Sequence, residues 1–323
     1  MVKIGRIIIG SRGSKLALVQ SNWVKSELER CSPGIEVTIE KISTTGDKIT
    51  DVPLSRLGGK GLFTKELEVA LLERRIDLAV HSMKDLPTEV PEGLMIGAVS
   101  KREDPHDILI SKKNVGLREL PEGARVGTSS LRRRAQLLAL RPDLVIADLR
   151  GNLDTRLKKL DTTDLDAIIV ARAGVLRLGF KERATQIIPF DELLPAVGQG
   201  ALCVEIRVND NEVKELVTKT INDPVTGYAV EAERALLAEL EGGCQIPIGA
   251  IAQVNPDNKL ELQAIVCSLD GKVAIRDKLT GTANQAKEIG IKLAKKLLSM
   301  GADKLLAEIR QSMEGKLIPS VGN

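Results

Sequence analysis

A chain of 323 residues is long enough for two or three domains of roughly 100–150 residues each. With 43% hydrophobic and 28% charged residues it has a globular composition, which excludes a disordered chain. Five aromatic rings cannot form a base-stacking platform, two histidines exclude a multi-histidine metal site, and four cysteines without C-x-x-C spacing exclude zinc ribbons, iron–sulfur clusters and a disulfide framework. The net charge of +3 is unevenly spread: Arg125 to Arg156 holds seven arginines against Asp143, Asp148 and Asp154, so local rather than total charge matters. No run approaches ~20 apolar residues, and Met1 to Gly10 lacks the apolar core of a signal peptide. The expected location is a reducing cytosol.

In chain order, Arg6–Gly10 reads as a short β-branched strand, Gly10-Ser-Arg-Gly-Ser as a tight turn and Lys15 to Arg30 as an amphipathic helix. Ile35–Ile42 predicts a second strand, Phe63–Arg74 a helix with Leu67, Ala70 and Leu71 on one face, and Asp77–His81 and Leu94–Val99 two more strands. Ser43 to Gly61 carries four glycines, Lys48, Arg56 and Lys60 without periodicity, the mark of a functional lid or a disordered stretch. The alternation of strand and helix argues for a mostly parallel sheet covered on both faces. The same grammar then restarts. Ala124 to Gln136 repeats the strand, hydroxyl-rich turn and helix opening of Ile8 to Leu18, and Leu165 to Ala171 echoes Ile76 to Ser82. Gly200–Val208 and Asn211–Thr220 read as a strand and helix returning to the first lobe. A helix at Tyr228–Glu241 precedes strands near 248–254, 260–268 and 273–280, with hairpin signals at Asn255-Pro-Asp-Asn and Asp270-Gly, and a helix at Asn284–Leu298 closes the pattern. The expected fold class is α/β: two similar doubly wound lobes, 1–100 with 200–220 and 101–199, plus a small α+β domain over 221–323.

Gly10-Ser-Arg-Gly-Ser and Gly127-Thr-Ser-Ser-Leu-Arg-Arg each place hydroxyls and arginines at a helix N-terminus. Backbone N–H groups and the positive end of the helix dipole favour anions there, and arginine forks bind carboxylate or phosphate bidentately. The plainer reading is that the hydroxyls merely cap the helices. Two such turns in equivalent places would face one cleft, with arginines that lack internal counter-charge. Neither turn is a nucleotide-binding glycine loop. Asp85, in His81-Ser-Met-Lys-Asp-Leu-Pro, follows a buried strand, where open α/β sheets bind ligands. It could stabilise a cation or move protons, or simply open a surface helix. His81 reads as a satisfied core histidine. Cys31, Cys203 and Cys267 read as inert packing residues. Cys244 follows Gly242-Gly243 on a loop and divides between a reactive and a structural role.

Taken together, Val80-His-Ser-Met-Lys-Asp-Leu-Pro, Val126-Gly-Thr-Ser-Ser-Leu-Arg-Arg, Leu149-Arg-Gly-Asn, Pro195-Ala-Val-Gly-Gln-Gly and Leu240-Glu-Gly-Gly-Cys-Gln-Ile-Pro-Ile-Gly resemble the porphobilinogen deaminase (hydroxymethylbilane synthase) family. The resemblance runs from the first strand into the third domain. It implies two lobes like those of type-II periplasmic binding proteins and a cytosolic, monomeric transferase. Four porphobilinogens would be joined head to tail with loss of ammonia, and water would release the linear tetrapyrrole. It further implies a dipyrromethane cofactor in thioether linkage to Cys244, Asp85 as the catalytic carboxylate, and Lys60 on a mobile loop over the active site. Ring carboxylates fall by the same resemblance to the cofactor-binding residues Ser14, Lys84, Ser130, Arg132, Arg133 and Arg156 and to the substrate-binding residues Arg12, Arg150, Arg156 and Arg177. No metal, nucleic acid or membrane is implied.

Two other classes share the two-lobe fold, solute-binding proteins and effector-sensing regulators. The first calls for an export signal and the second for a helix-turn-helix, and neither is visible. A nucleic-acid binder using Arg132-Arg-Arg134 is opposed by the near-neutral charge and the missing aromatics.

Overall fold

The computed structural model describes residues 5–48, 61–241 and 246–314. The described residues form two compact units, one built from 5–48, 61–103 and 200–227, the other from 104–199, 228–241 and 246–314. In the first unit the order is β1 (Arg6–Ser11), α1 (Lys15–Cys31), β2 (Glu36–Lys41), α2 (Thr45–Lys48), α3 (Lys65–Leu72), β3 (Leu78–Ser82) and β4 (Leu94–Val99). The second unit begins with β5 (Asp107–Ser111), β6 (Arg125–Gly127), α4 (Leu131–Leu140), β7 (Val145–Ala147), α5 (Leu153–Thr162), β8 (Ala167–Ala171), α6 (Arg172–Arg177) and β9 (Gln186–Ile188). The chain then supplies β10 (Leu202–Arg207) and α7 (Asn211–Thr220) to the first unit and continues into α8 (Pro224–Glu239). The remainder is β11 (Ile248–Val254), β12 (Lys259–Cys267), β13 (Ala274–Thr282), α9 (Ala286–Leu297) and α10 (Asp303–Glu314).

The first sheet runs β2-β1-β3-β10-β4 and the second β7-β6-β8-β5-β9. Each has parallel pairs around the strand in the second place, β1 or β6, and one antiparallel strand in the fourth place: β10 against β3 and β4, β5 against β8 and β9. That inserted strand comes from the far side of a chain crossing in both cases, since β5 follows the first sheet's β4 and β10 follows the second sheet's β9. The two lobes anticipated from the repeated grammar therefore share a strand order as well as a pattern, and 200–208 does return to the first sheet.

Period-two alternation sorts side chains to opposite faces of each sheet. In the first, Ile7, Ile9, Leu78 and Val80 pack with Val24 and Leu28 of α1 and Val213 and Val217 of α7. Ala79 and Leu94 pack beneath Leu67, Ala70 and Leu71 of α3. In the second, Leu109, Val126, Ala167 and Ile169 meet Leu137 of α4, while Ile108, Ile110, Ile168 and Val170 meet Leu157 and Leu160 of α5. Helices cover both faces, as a doubly wound sheet requires. The antiparallel sheet β11-β12-β13 buries Ala250, Ala252, Leu260, Leu262 and Ala264 with Leu236 of α8 and Leu293 and Leu297 of α9. Its other face, through Ile251, Ile265 and Cys267, packs on Ala135 of α4 and on Leu194.

Where the elements differ from expectation, length and charge are the reasons. The strands β7 and β9 have three residues each, too few for alternation to register. β5 opens on Asp107, a charge that breaks the apolar signal although the residue is 0% exposed. A further helix, α10, continues after Gly301, whose φ of 105° kinks the chain. Gly271, with φ +73°, sits where an added Cβ would lie 2.5 Å from both Ala135 O and Ala139 N of α4. Gly271→Ala should therefore lower stability by about 1–3 kcal/mol in urea melts through overpacking against backbone. Gly123→Ala, at φ +72° with nothing within 4 Å, should lose only the backbone cost of about 1–2 kcal/mol.

Candidate functional site

In the first unit, β3 ends at the sheet's carboxyl edge and turns at once into a single 3-10 turn, Met83–Asp85, held by the Met83 N–H donating to Ala201 O at 3.0 Å. The neighbouring edge strand-to-helix turn, after β1, carries Arg12 and Ser14. Ser14 caps α1, its hydroxyl accepting from the Ala17 N–H at 3.3 Å. These two turns wall a pocket whose lining includes Arg12, Ser14, Phe63, His81, Ser82 and Asp85. The structure thus brings Arg12, Ser14 and Asp85 together in one place. Lys84 lies beside Asp85 on the turn and is half-buried.

Arg12 already has an internal carboxylate. Its Nε and Nη2 donate to Asp47 at 3.1 and 2.5 Å, and its guanidinium lies over the Phe63 ring at 4.2 Å. The Thr44 hydroxyl donates to Asp47 at 2.8 Å. Burial would push the Asp47 carboxyl up, but the Arg12 guanidinium and the Thr44 hydroxyl outweigh it and hold the group below the usual carboxylate range. Sequence reasoning missed Asp47 because it stands in an aperiodic stretch 35 positions from its partner.

In the second unit the corresponding residues also follow strand ends. Ser130, after β6, caps α4 by accepting from the Arg133 N–H at 3.4 Å. Arg150 lies on the turn after β7. Arg156, on α5, donates through Nε to Gly151 O at 2.9 Å. Arg177 ends α6 and is half-buried, like Arg150 and Arg156. Burial draws the Arg150 guanidinium below its ordinary value, with Asp148 opposing. Arg132 and Arg133 are different: each side chain is 6% exposed and both converge on Asp107. Arg132 Nη1 and Arg133 Nη2 donate to its two oxygens at 2.7 Å each, and Gln199 Nε2 adds a bond of 2.9 Å. Burial alone would push the Asp107 carboxyl up, yet the two guanidiniums hold it well below the usual range. The expectation of arginines without internal counter-charge is therefore corrected for Arg12, Arg132 and Arg133. Charges that share an aperiodic loop or a strand end are paired only once the chain has folded.

Of the cysteines, Cys203 and Cys267 are buried as packing residues, and burial pushes the Cys267 thiol up to about 12. Cys31 is exposed at the end of α1, contrary to its reading as a packing residue. Cys244 and Lys60 lie outside the described residues.

Residues 7–215 match the family described as porphobilinogen deaminase, dipyromethane cofactor binding domain, and residues 228–299 match the porphobilinogen deaminase C-terminal domain. The chain belongs to the porphobilinogen deaminase family. Its relatives include a porphobilinogen deaminase from Carboxydothermus hydrogenoformans, 54% identical over 305 residues that cover 94% of this chain and 97% of the relative. Another, from Chlorobium luteolum, is 52% identical over 311 residues covering 95% of this chain and 99% of the relative. Among solved structures, the periplasmic aliphatic sulphonate binding protein SsuA from Escherichia coli is similar at a TM-score of 0.40 and 12% identity, over 73% of this chain and 71% of that one. Membership makes the chain an enzyme, a transferase of tetrapyrrole synthesis, whose first matched region is a dipyrromethane-binding domain. Among the described residues no helix is long and apolar enough to cross a membrane, and no His, Cys, Asp or Glu cluster could hold a metal ion.

The Asp107 cluster allows a titration test. Asp107→Asn strips the charge from between two buried guanidiniums, and removing one partner of a buried pair costs about 3–5 kcal/mol. Because the folded carboxyl is depressed, its contribution is complete above the ordinary carboxylate value of about 3.9 and is lost as pH falls toward the folded value. Denaturant melts should show the full gap between wild type and variant at pH 7 and a shrinking gap below about pH 4.

Proposed function

We propose that the chain is a hydroxymethylbilane synthase that condenses four porphobilinogens head to tail, each losing ammonia, and releases the linear tetrapyrrole to water. The observation that carries this reading is Asp85, a carboxylate lining a pocket without an ion-pair partner among the described residues. By contrast Asp47, Asp77, Asp104 and Asp107 are all bonded to arginine. A carboxylate left uncommitted in a pocket is available to a cation that develops there. Loss of ammonia from an aminomethylpyrrole leaves such a cation, delocalised onto the ring nitrogen. Asp85 would stabilise it by charge and accept the ring N–H as a hydrogen bond.

The residues present suit a dipyrromethane with its carboxylates. Two guanidiniums face one carboxylate at Asp107, which leaves a net positive charge, and the buried Arg133 Nε has no hydrogen-bond partner. That donor set suits a further carboxylate. When bound through Cys244, the dipyrromethane supplies the ring from which the product grows. Arg132, Arg133, Ser130, Ser14, Lys84 and Arg156 would hold its acid groups, and Arg12, Arg150, Arg156 and Arg177 those of incoming units, by bidentate charge-assisted bonds. Lys60 would act from a loop over the site. In this reading 1–100 with 200–220 and 101–199 are the two lobes and 221–323 is the cysteine-bearing domain.

A solute-binding protein on the same fold would release no ammonia and carry no adduct. Intact-mass spectrometry of the wild type should show the dipyrromethane increment, lost in Cys244→Ser and kept when Cys31, Cys203 or Cys267 becomes Ser. An increment on any other cysteine would overturn the assignment. Asp85→Asn should lower turnover by at least about 10²-fold, whereas near-normal turnover would make Asp85 structural. Arg150→Ala and Arg156→Ala should accumulate enzyme carrying one to three extra rings. Normal product formation without such species would reject their role.

A further inference from the structure

Behind the Asp85 pocket lies a buried acid–base pair that the proposed chemistry does not yet use. His81, on β3, and Glu205, on β10, are diagonal neighbours across an antiparallel pairing in which His81 sits opposite Cys203. His81 Nε2 meets Glu205 Oε2 at 3.0 Å, and the two side chains are 2% and 0% exposed. Glu205 Oε1 is buried without a hydrogen-bond partner among the described residues. A second carboxyl, Glu68 of α3, faces the pair and is itself mostly buried. His81 is nevertheless among the residues that line the pocket shared by Arg12, Ser82 and Asp85.

Packing does not explain this arrangement. A buried carboxylate with one hydrogen bond is costly, and an apolar pair of similar volume would be as stable or more so. The proton economy of the pair does explain it. Burial pushes the Glu68 carboxyl up and favours its neutral form. A Glu205 carboxylate accepts from Nε2–H and so fixes the ring tautomer. That leaves Nδ1, which has no partner among the described residues, free to carry a proton.

We infer that His81 is a second proton-carrying group of the site, acting beside Asp85, and that Glu205 is the positioning residue that sets its tautomer. This rests on the reaction proposed above. In each cycle the aminomethyl C–N bond breaks, a C–C bond forms from that methylene to the acceptor ring carbon, and that carbon gives up its proton. The nitrogen departs as ammonia and takes up one proton to become ammonium, so protons balance. His81 Nδ1 holds the proton between its loss from carbon and its capture by ammonia. Asp85 meanwhile stays ionised against the cation, which a single carboxylate could not do while also carrying the proton.

The chain has two histidines, so the wild-type enzyme labelled with ¹⁵N-histidine gives two imidazole spectra, and His106→Asn assigns them. The expected His81 spectrum at neutral pH is the neutral Nε2–H tautomer. In Glu205→Gln it should shift toward a tautomer mixture. Turnover of porphobilinogen should fall by at least about 10²-fold in His81→Gln, with KM near wild type. In Glu205→Gln the fall should be smaller, because the ring keeps its place and loses only the acceptor that sets its tautomer. A His81 ring found as the Nδ1–H tautomer or doubly protonated throughout would overturn the inference even if the variants fail to fold. So would folded, dipyrromethane-loaded His81→Gln enzyme with wild-type turnover and pH profile. A wild type that does not consume porphobilinogen would instead overturn the reaction on which the inference rests.

Discussion

A single carboxylate with no exposed surface, Asp107, organises the second unit. It is the first residue of the inserted strand β5, and from there it binds both arginines of the hydroxyl-rich turn and Gln199. The same arginines reach Leu194 O at 2.7 Å and Ile169 O at 3.1 Å. One acid therefore fixes the start of α4, the end of β8 and the segment that precedes β10. Two charged donors on one acceptor also leave that cluster net positive, so the constraint that holds the fold is what makes its surroundings suitable for an acidic ligand.

The same logic separates the acids of the first unit. Asp47 is committed to Arg12 and Thr44, and Asp77 to Arg207 and the Ile8 N–H. Asp85 stands apart, raised on a 3-10 turn at the carboxyl end of β3 with the pocket in front of it. The acids around this pocket therefore differ in their partners, Asp47 being held by an arginine and Asp85 by none among the described residues. The internal pairing of Arg12 also means that its guanidinium is already oriented by Asp47 and Phe63 rather than carried on a mobile side chain.

In both sheets the hydroxyls and arginines of interest follow carboxyl ends of strands, after β1 and β3 in one and after β6 and β7 in the other. That is the placement expected of open α/β sheets, where strand ends converge on helix N-termini and their unsatisfied N–H groups. The matching strand orders explain why two short motifs separated by more than a hundred positions look alike. They occupy the same place in two copies of one arrangement.

Much of this was legible in the chain itself. Element types were set by local patterns. The β4 limits 94–99, the α7 limits 211–220 and the β11 limits 248–254 follow from apolar alternation and capping residues alone. The turns bearing Arg12, Ser130 and Asp85 were visible as motifs because glycines, hydroxyls and charges cluster there within a few residues. What only the tertiary structure decided is which charges meet. Asp47 reaches Arg12 across 35 positions, Asp107 reaches Arg132 across 25, and Glu205 reaches His81 across 124. The inserted strands β5 and β10 make two of these encounters, and their place in the sheets depends on chain crossings that no local pattern records. Periodicity acts between near neighbours and is written in the sequence. Ion pairing and burial act between residues that only folding brings within a few ångströms, so the sequence determined the elements and candidate residues, and the fold alone determined their partners.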